Sequence, residues 1–466
     1  NIVIGSDLKK TYITEKLEKI GIKINYNQVK ENITEDIDLF VYSSAIEKDN
    51  PEYQMASQLK INSLHRSEYL NQLLKNKKVI AITGSSGKTT TTTLTGIALN
   101  KIGIQSNLIT GGWITNIDSN TIWNDSEIVV LEADESDGSL LNYQTTIGLI
   151  TDLAVDVNIN TSKFKNTPLQ DLSNKLKEIY LEFIDKIKQN NGSLIISNDL
   201  ELQKFVEDKD LPISAIFGND SKHQSDYPYF FYEDLIQYEH NGYPFLKFRV
   251  RFSYKDKVED LGMVELRTIG KYNAFNYLAA ASIVFVLTQD LKYIKQMNQI
   301  SSSFPFAKRR FEILLNEIIN GKRLIVIDDY AHNPKKITSL MKNLNTVYSN
   351  YQRIAVFQPH RYTRTLMFWD KLGKSFFDLD QLIILPIYEA GEKPIPQVDS
   401  LNLTKLIKNQ SNNINKIQYL ESFQETISFL INQISNRDSL VVFIGAGNIT
   451  NLAESFAKRL SISYIS

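Results

Sequence analysis

Short apolar runs of four to six residues recur along this 466-residue chain, each followed by a polar or glycine-bearing turn and then a longer segment of helical period. The clearest are Leu39–Tyr42, Val79–Ile82, Ile128–Leu131, Ile147–Ile150, Leu324–Ile327, Ile354–Phe357, Leu382–Leu385 and Leu440–Ile444. Runs that are apolar throughout suit strands buried on both faces, so the rhythm predicts an α/β fold with mostly parallel sheets covered by helices on both sides. Between Tyr227 and Val264 the pattern becomes aromatic-rich alternation with turns at Asn241-Gly242 and Lys255-Asp256, which predicts antiparallel strands. The apolar segment Ala274–Thr288 then predicts a buried helix. The length allows about three domains, and polar breaks at Leu74–Lys78 and Ser301–Pro305 divide the chain into residues 1–76, 77–304 and 305–466.

In such sheets ligands meet the turns that follow the carboxyl ends of the strands. After Val79–Ile82 comes Gly84-Ser85-Ser86-Gly87-Lys88-Thr89-Thr90, opening a helical segment. Gly84 and Gly87 can adopt backbone angles that turn successive N–H groups inward around phosphate oxygens at a helix N-terminus. Lys88, expected to be exposed on the loop, adds a positive charge, and Thr89 puts a hydroxyl where the Mg2+ that accompanies ATP sits. Ile82 stands where the strict pattern has glycine, so the loop is a variant, and the plainer alternative is a Gly-Ser turn capped by threonine. After Ile128–Leu131 comes Glu132-Ala-Asp-Glu-Ser-Asp137, with four carboxylates in six residues. Glu132 is a candidate metal ligand beside Thr89, against the alternative of a solvated acidic loop.

Two further turns are built for contact. Asp328-Asp-Tyr-Ala-His-Asn-Pro334 follows Leu324–Ile327, and Gln358-Pro-His-Arg-Tyr-Thr-Arg364 follows Ile354–Phe357. Arg361 and Arg364, three apart, could form one face of an anion clamp. Lys308-Arg-Arg310, beside a domain break, could carry a cation across a cleft, and Gly445-Ala-Gly-Asn448 is an incomplete dinucleotide-type turn. The net charge of −1 gives no general pull toward nucleic acid or an acidic membrane. The absence of cysteine excludes disulfides, thiol nucleophiles and thiolate zinc sites. No apolar stretch is long enough to span a bilayer and no cleavable leader opens the chain, so a cytoplasmic protein is expected. The first residue, Asn1, suggests that further residues lie upstream.

Taken together these turns resemble the Mur ligases, nearest the branch that adds L-alanine. The resemblance spans nearly the whole chain: Gly5-Ser-Asp7, Ser43-Ser-Ala-Ile46, Asn50-Pro51, His65-Arg66, the Gly84–Thr91 loop, Glu132–Asp137, Asn273 and Asn276, Arg309-Arg-Phe311, Asp328–Pro334, Gln358–Arg364, Ala390-Gly-Glu392 and Gly445–Asn448. It implies Rossmann-like N- and C-terminal domains around a central P-loop ATPase domain. It also implies ATP-dependent joining of L-alanine to the muramate carboxylate of UDP-N-acetylmuramate through an acyl phosphate, in peptidoglycan precursor synthesis, by a monomer or homodimer. On that basis Lys88, Arg310 and His332 are catalytic. Gly84, Ser85, Ser86, Gly87, Thr89, Thr90, Asn273 and Asp328 join Lys88 at ATP, and Thr89 and Glu132 hold Mg2+. His65, Arg66, His360, Arg361 and Arg364 face the substrates.

Four histidines of the family pattern are replaced: Ser86 in the phosphate loop, Tyr272 before Asn273, Asn333 before Pro334, and Val157 in Thr151-Asp-Leu-Ala-Val-Asp-Val157. Asp152 or Asp156 could supply oxygen to Mg2+ in place of the last. The glycine-rich turn expected ahead of Gly5 lies outside this chain. Two alternatives stay open on the sequence: a non-catalytic relative that binds nucleotide or UDP-sugar, and a dehydrogenase built on Gly445–Gly447.

Overall fold

The computed structural model describes residues 2–136, 138–153, 169–207, 213–220, 226–434 and 437–465. Asp137, Asp156 and Val157 lie outside them. Ten strands form the central sheet, in spatial order Lys257–Leu266, Tyr243–Tyr254, Tyr229–His240, Ile213–Gly218, Ser193–Ser197, Thr145–Ile150, Lys78–Thr83, Ile128–Glu132, Asn107–Ile114 and Ser119–Ile122. From Tyr229–His240 to the parallel pair Ile128–Glu132 and Asn107–Ile114 the pairing is parallel, and antiparallel pairs flank it at both ends. The turns at Asn241-Gly242 and Lys255-Asp256 connect the antiparallel strands at one end, as the alternation predicts.

A second sheet of six strands runs Glu312–Ile319, Lys322–Asp329, Ser439–Ile444, Gln352–Phe357, Phe377–Ile384 and Asn412–Tyr419, parallel except for its first strand. The N-terminal region holds two short parallel pairs, Ile4–Ser6 with Lys23–Asn25 and Leu39–Tyr42 with Asn62–His65. No two described strands pair across residues 74–77 or 300–311, although an isolated antiparallel bridge joins Ile114 to Ala307.

Each face of both large sheets carries its own apolar cluster, as strands buried on both sides require. On one face of the central sheet lie the Lys88–Lys101 helix and Lys271–Thr288, the latter apolar enough to be buried around most of its circumference. Gly96 lets the first of these approach the Asn107–Ile114 strand, since a Cβ there would lie 2.8 Å from Leu108 Cδ1. Helix starts follow local chemistry. Asn50 accepts hydrogen bonds from the amides of Glu52 and Tyr53, with Pro51 in the first turn, and Asn333 accepts from the Lys336 amide ahead of Pro334–Val347. Among the described residues no helix is long and apolar enough to cross a membrane.

Two polar contacts fasten the outer regions to the centre. The tip of the Tyr229–Tyr254 hairpin meets the second sheet's layer, where Tyr348 Oη donates to the Gly242 carbonyl at 3.2 Å and Asn316 Nδ2 to that of Asn241 at 2.9 Å. On the other side, Asp118 accepts from Tyr12 Oη at 2.6 Å, Lys16 Nζ at 2.6 Å and Trp113 Nε1 at 2.9 Å. Around Tyr12–Lys19 the N-terminal region leaves Val3, Ile4 and Ile13 exposed, so there this carboxylate does work that apolar burial does at Leu70 and Leu74. Asp118→Ala should therefore speed amide hydrogen exchange across Tyr12–Lys19 while leaving Lys78–Thr83 unchanged. Exchange identical to the parent would mean that Asp118 does not hold the two regions together.

Candidate functional site

Strands Lys78–Thr83, Ile128–Glu132 and Thr145–Ile150 lie side by side and parallel, so the turns after them open at one edge. The Gly84–Gly87 turn has φ of 123° at Gly84 and 86° at Gly87, angles that disfavour a side chain. Both glycines are also crowded: a Cβ would lie 2.0 Å from Thr151 Oγ1 at Gly84 and 2.3 Å from Asn276 Oδ1 at Gly87. Lys88 opens the helix that follows. Thr89 Oγ1 donates to Glu132 Oε1 at 2.9 Å, so the two candidate metal ligands are adjacent. Thr90 is buried in the same turn.

Lys88 departs from expectation. It is not exposed on the loop but heads the helix with only 15% of its side chain accessible, against 5% for Glu135. Its Nζ donates to Glu135 Oε2 at 2.8 Å and Oε1 at 3.0 Å and to the Gly84 carbonyl at 2.7 Å. Burial opposes the ammonium, but the carboxylates of Glu135, Asp134 and Glu132 outweigh it and hold the lysine charged. Burial likewise pushes the Glu135 carboxyl up, to about 7, even with Lys88 against it.

Two neighbours, Thr110 and Gly111, had no signal in the sequence, and two others, Asp152 and Asn276, take roles that it did not indicate. Thr110 Oγ1 and the Gly111 amide donate to Glu132 Oε2 at 3.1 and 2.6 Å, from a strand whose Gly111-Gly112 pair disguises it. Asp152, considered above only as a metal ligand, instead bonds the loop: Oδ1 accepts from Ser85 Oγ at 2.5 Å and the Ser85 amide at 3.2 Å, and Oδ2 from the Ser86 amide at 3.2 Å. Asn276 Oδ1 accepts from Thr91 Oγ1 at 3.4 Å, and Asn276 Nδ2 donates to Asn273 Oδ1 at 3.2 Å, linking the loop helix to the buried helix. Asn273 is itself buried and donates to the Ile269 carbonyl at 2.7 Å. Among the described residues no group of three or more histidine, cysteine, aspartate or glutamate side chains could hold a metal.

The remaining candidates separate. Arg310 is half-buried over the Tyr330 ring, 5.4 Å from its centroid, with Arg309 at 4.9 Å. Asp328 is fully buried, and its Oδ2 accepts from Thr450 Oγ1 at 2.5 Å and lies 3.4 Å from Arg309 Nε. His332 contacts the Tyr330 carbonyl through Nδ1 at 2.8 Å, and burial pushes its pKa far down. His360 Nδ1 accepts from Arg364 at 2.9 Å, which fixes its proton on Nε2, and burial lowers its pKa to about 4. Arg361 precedes the Tyr362–Met367 helix at φ 67°, with Nε 4.0 Å from Glu392, so it does not share a helical face with Arg364. His65 caps the Arg66–Leu73 helix, taking the Ser67 amide on Nδ1, while Arg66 is exposed.

Residues 309–447 match the family of Mur ligase glutamate ligase domains, and residues 1–78 the catalytic domain of the Mur ligase family. A UDP-N-acetylmuramate–L-alanine ligase of Sulfurihydrogenibium sp. (strain YO3AOP1) is 33% identical over 465 residues, 98% of this chain and 92% of that protein. Its namesake in Persephonella marina is 33% identical over 462 residues, 98% and 91% of the two chains. The crystal structure of a UDP-N-acetylmuramate-alanine ligase from Thermotoga maritima shares the fold with a TM-score of 0.75 at 22% identity, over 99% of this chain and 94% of that one. A MurF ligase from the same organism, solved with ADP, gives 0.61 at 15% identity over 94% and 98%.

The buried ion pair makes a specific stability prediction. A carboxyl raised from 4.5 to about 7 on folding contributes fully to stability below about pH 4.5, and that contribution is lost as pH rises through 7. Lys88→Ala removes the cation that moderates this loss and leaves Glu135 buried alone, a change of about 3–5 kcal/mol for a buried pair. Its melting temperature should fall below the parent's, with a deficit larger at pH 8 than at pH 6, and Lys88→Ala/Glu135→Gln should recover most of it. A deficit independent of pH would refute this account of the pair.

Proposed function

The chain belongs to the Mur ligase family, and from that premise we propose that it joins L-alanine to the muramate carboxylate of UDP-N-acetylmuramate, with ATP, in peptidoglycan precursor synthesis. The observation that carries this reading is the convergence of the Gly84–Gly87 turn, Lys88, Thr89 and Glu132 at one sheet edge. In it, the muramate carboxylate attacks the γ-phosphorus, giving an acyl phosphate and ADP. The amine of L-alanine then attacks the acyl carbon and releases inorganic phosphate. The three units are residues 1–76 for the UDP-sugar, 77–304 for ATP and 305–466 for the incoming amino acid.

Phosphoryl transfer asks the protein mainly for position and charge. Lys88, with the amides of residues 84–90, takes the β- and γ-phosphates, and Asn273 takes the adenine. Thr89 and Glu132 offer a hydroxyl and a carboxylate, the hard oxygen donors that suit Mg2+, and would hold it. Bound there, Mg2+ supplies charge neutralisation at the phosphates. Arg310 approaches the γ-phosphate from the C-terminal region. His332 and His360, both kept neutral by burial, serve in orientation rather than as cations, with Arg361 and Arg364 toward the amino acid. His65 and Arg66 stand on the UDP-sugar side. Asp328, held by Arg309 and Thr450, stands with the ATP side of the C-terminal region. Such a protein works in the cytoplasm, where its nucleotide substrates are, as a monomer or homodimer.

The test is phosphate release with UDP-N-acetylmuramate, L-alanine and Mg-ATP. Lys88→Ala should lower turnover by about a hundredfold or more, and Glu132→Gln should shift half-maximal activity to higher Mg2+ concentration. Turnover of Lys88→Ala within a few-fold of the parent would overturn the assignment of the loop.

A further inference from the structure

We propose that the Asp152 carboxylate is an internal anion seated in the phosphate loop, and that nucleotide must displace it to bind; this rests on the reading of residues 84–89 as the nucleotide loop. Thr145–Ile150 pairs with Lys78–Thr83 so that Ile150 stands opposite Thr83, which delivers Asp152 to the loop as both strands end. Its two oxygens take the amides of Ser85 and Ser86 and the Ser85 hydroxyl. Amides turned inward at such a loop are the donors a phosphate uses, and a carboxylate satisfies them with charge of the same sign.

The adjoining residue strengthens the seat. Thr151 Oγ1 donates to the Ser86 carbonyl at 2.7 Å and that of Thr83 at 3.3 Å, and it fills the space a side chain at residue 84 would need. Lys88 is meanwhile engaged by Glu135. The chain's own carboxylates thus satisfy two of the loop amides and the loop cation. Apparent affinity for a phosphate ligand is then the intrinsic affinity multiplied by the fraction of molecules in which the loop is vacant. Asp152 sets that fraction.

The experiment is calorimetric binding of ADP, without Mg2+, to the full chain as parent, Asp152→Asn, Asp152→Ala and Lys88→Ala, with circular dichroism to show that each is folded. Charge-assisted hydrogen bonds are roughly twice as strong as neutral ones, so both Asp152 variants should bind ADP about five- to tenfold tighter. Adenosine, which has no phosphate, should bind them as it binds the parent. Equal or weaker ADP binding by both Asp152 variants, while the parent binds and Lys88→Ala does not, would overturn the proposal and leave Asp152 as a brace for the loop. Parent and Lys88→Ala binding ADP alike, or neither binding, would instead remove the nucleotide-loop reading and the proposal with it.

Discussion

The contact between Lys88 and Glu135 governs how the central sheet becomes a site. It ties the first residue of a helix to the turn after a neighbouring strand, across a span of sequence that no local preference connects. Two charges so deeply placed lose hydration that their attraction only partly restores. The geometry compensates with two short bonds to the carboxylate and a third to the Gly84 carbonyl. The carboxylate's raised pKa records the same tension. A folded chain that keeps such a pair under burial is holding a cation ready at the head of a helix whose amide dipoles already favour anions.

Around that pair, two residues that depart from the family pattern have structural employment. Asn333 caps the Pro334–Val347 helix, a task suited to a short amide side chain. Tyr272 lies over Gly270, where a Cβ would come 2.3 Å from its ring. The losses of imidazole at 272 and 333 are thus not vacancies: at each one the replacement takes part in the local packing or bonding.

The strand rhythm was readable because strands covered on both faces must be apolar throughout, and the main elements fall where those runs lie. The adjacency of Thr89 and Glu132 was readable for the same reason, since strands that share a sheet end together. What escaped depends on neighbours distant in sequence. Gly111-Gly112 hides the Asn107–Ile114 strand because glycine carries no periodicity, yet Thr110 and Gly111 bind Glu132. The depth of Lys88 and Asp328 follows from elements packed over them, and nothing in their own segments distinguishes a buried charge from an exposed one. His65 shows the converse: its place ahead of Glu68 in the Arg66–Leu73 helix is a capping arrangement that local sequence does contain.

The long antiparallel hairpin at the end of the central sheet leaves Lys257–Leu266 as an outermost strand with one side of its backbone unpaired by any described strand. An outermost strand is a template on which another polypeptide could add, but here the far half is covered: Asn298 Nδ2 donates to the Leu261 carbonyl at 2.8 Å and the Glu265 amide donates to Ser301 Oγ at 3.0 Å. Two further features blunt the rest. The pairing slips beside Gly262, at φ 100°, which bends the strand. Its first half carries Lys257, Glu259 and Asp260, with Glu259 paired to Lys295 and Asp260 to Arg249. A second molecule aligning there would have to strip water from charges and follow a kink, so the extended sheet that builds the site does not also become a route to aggregation.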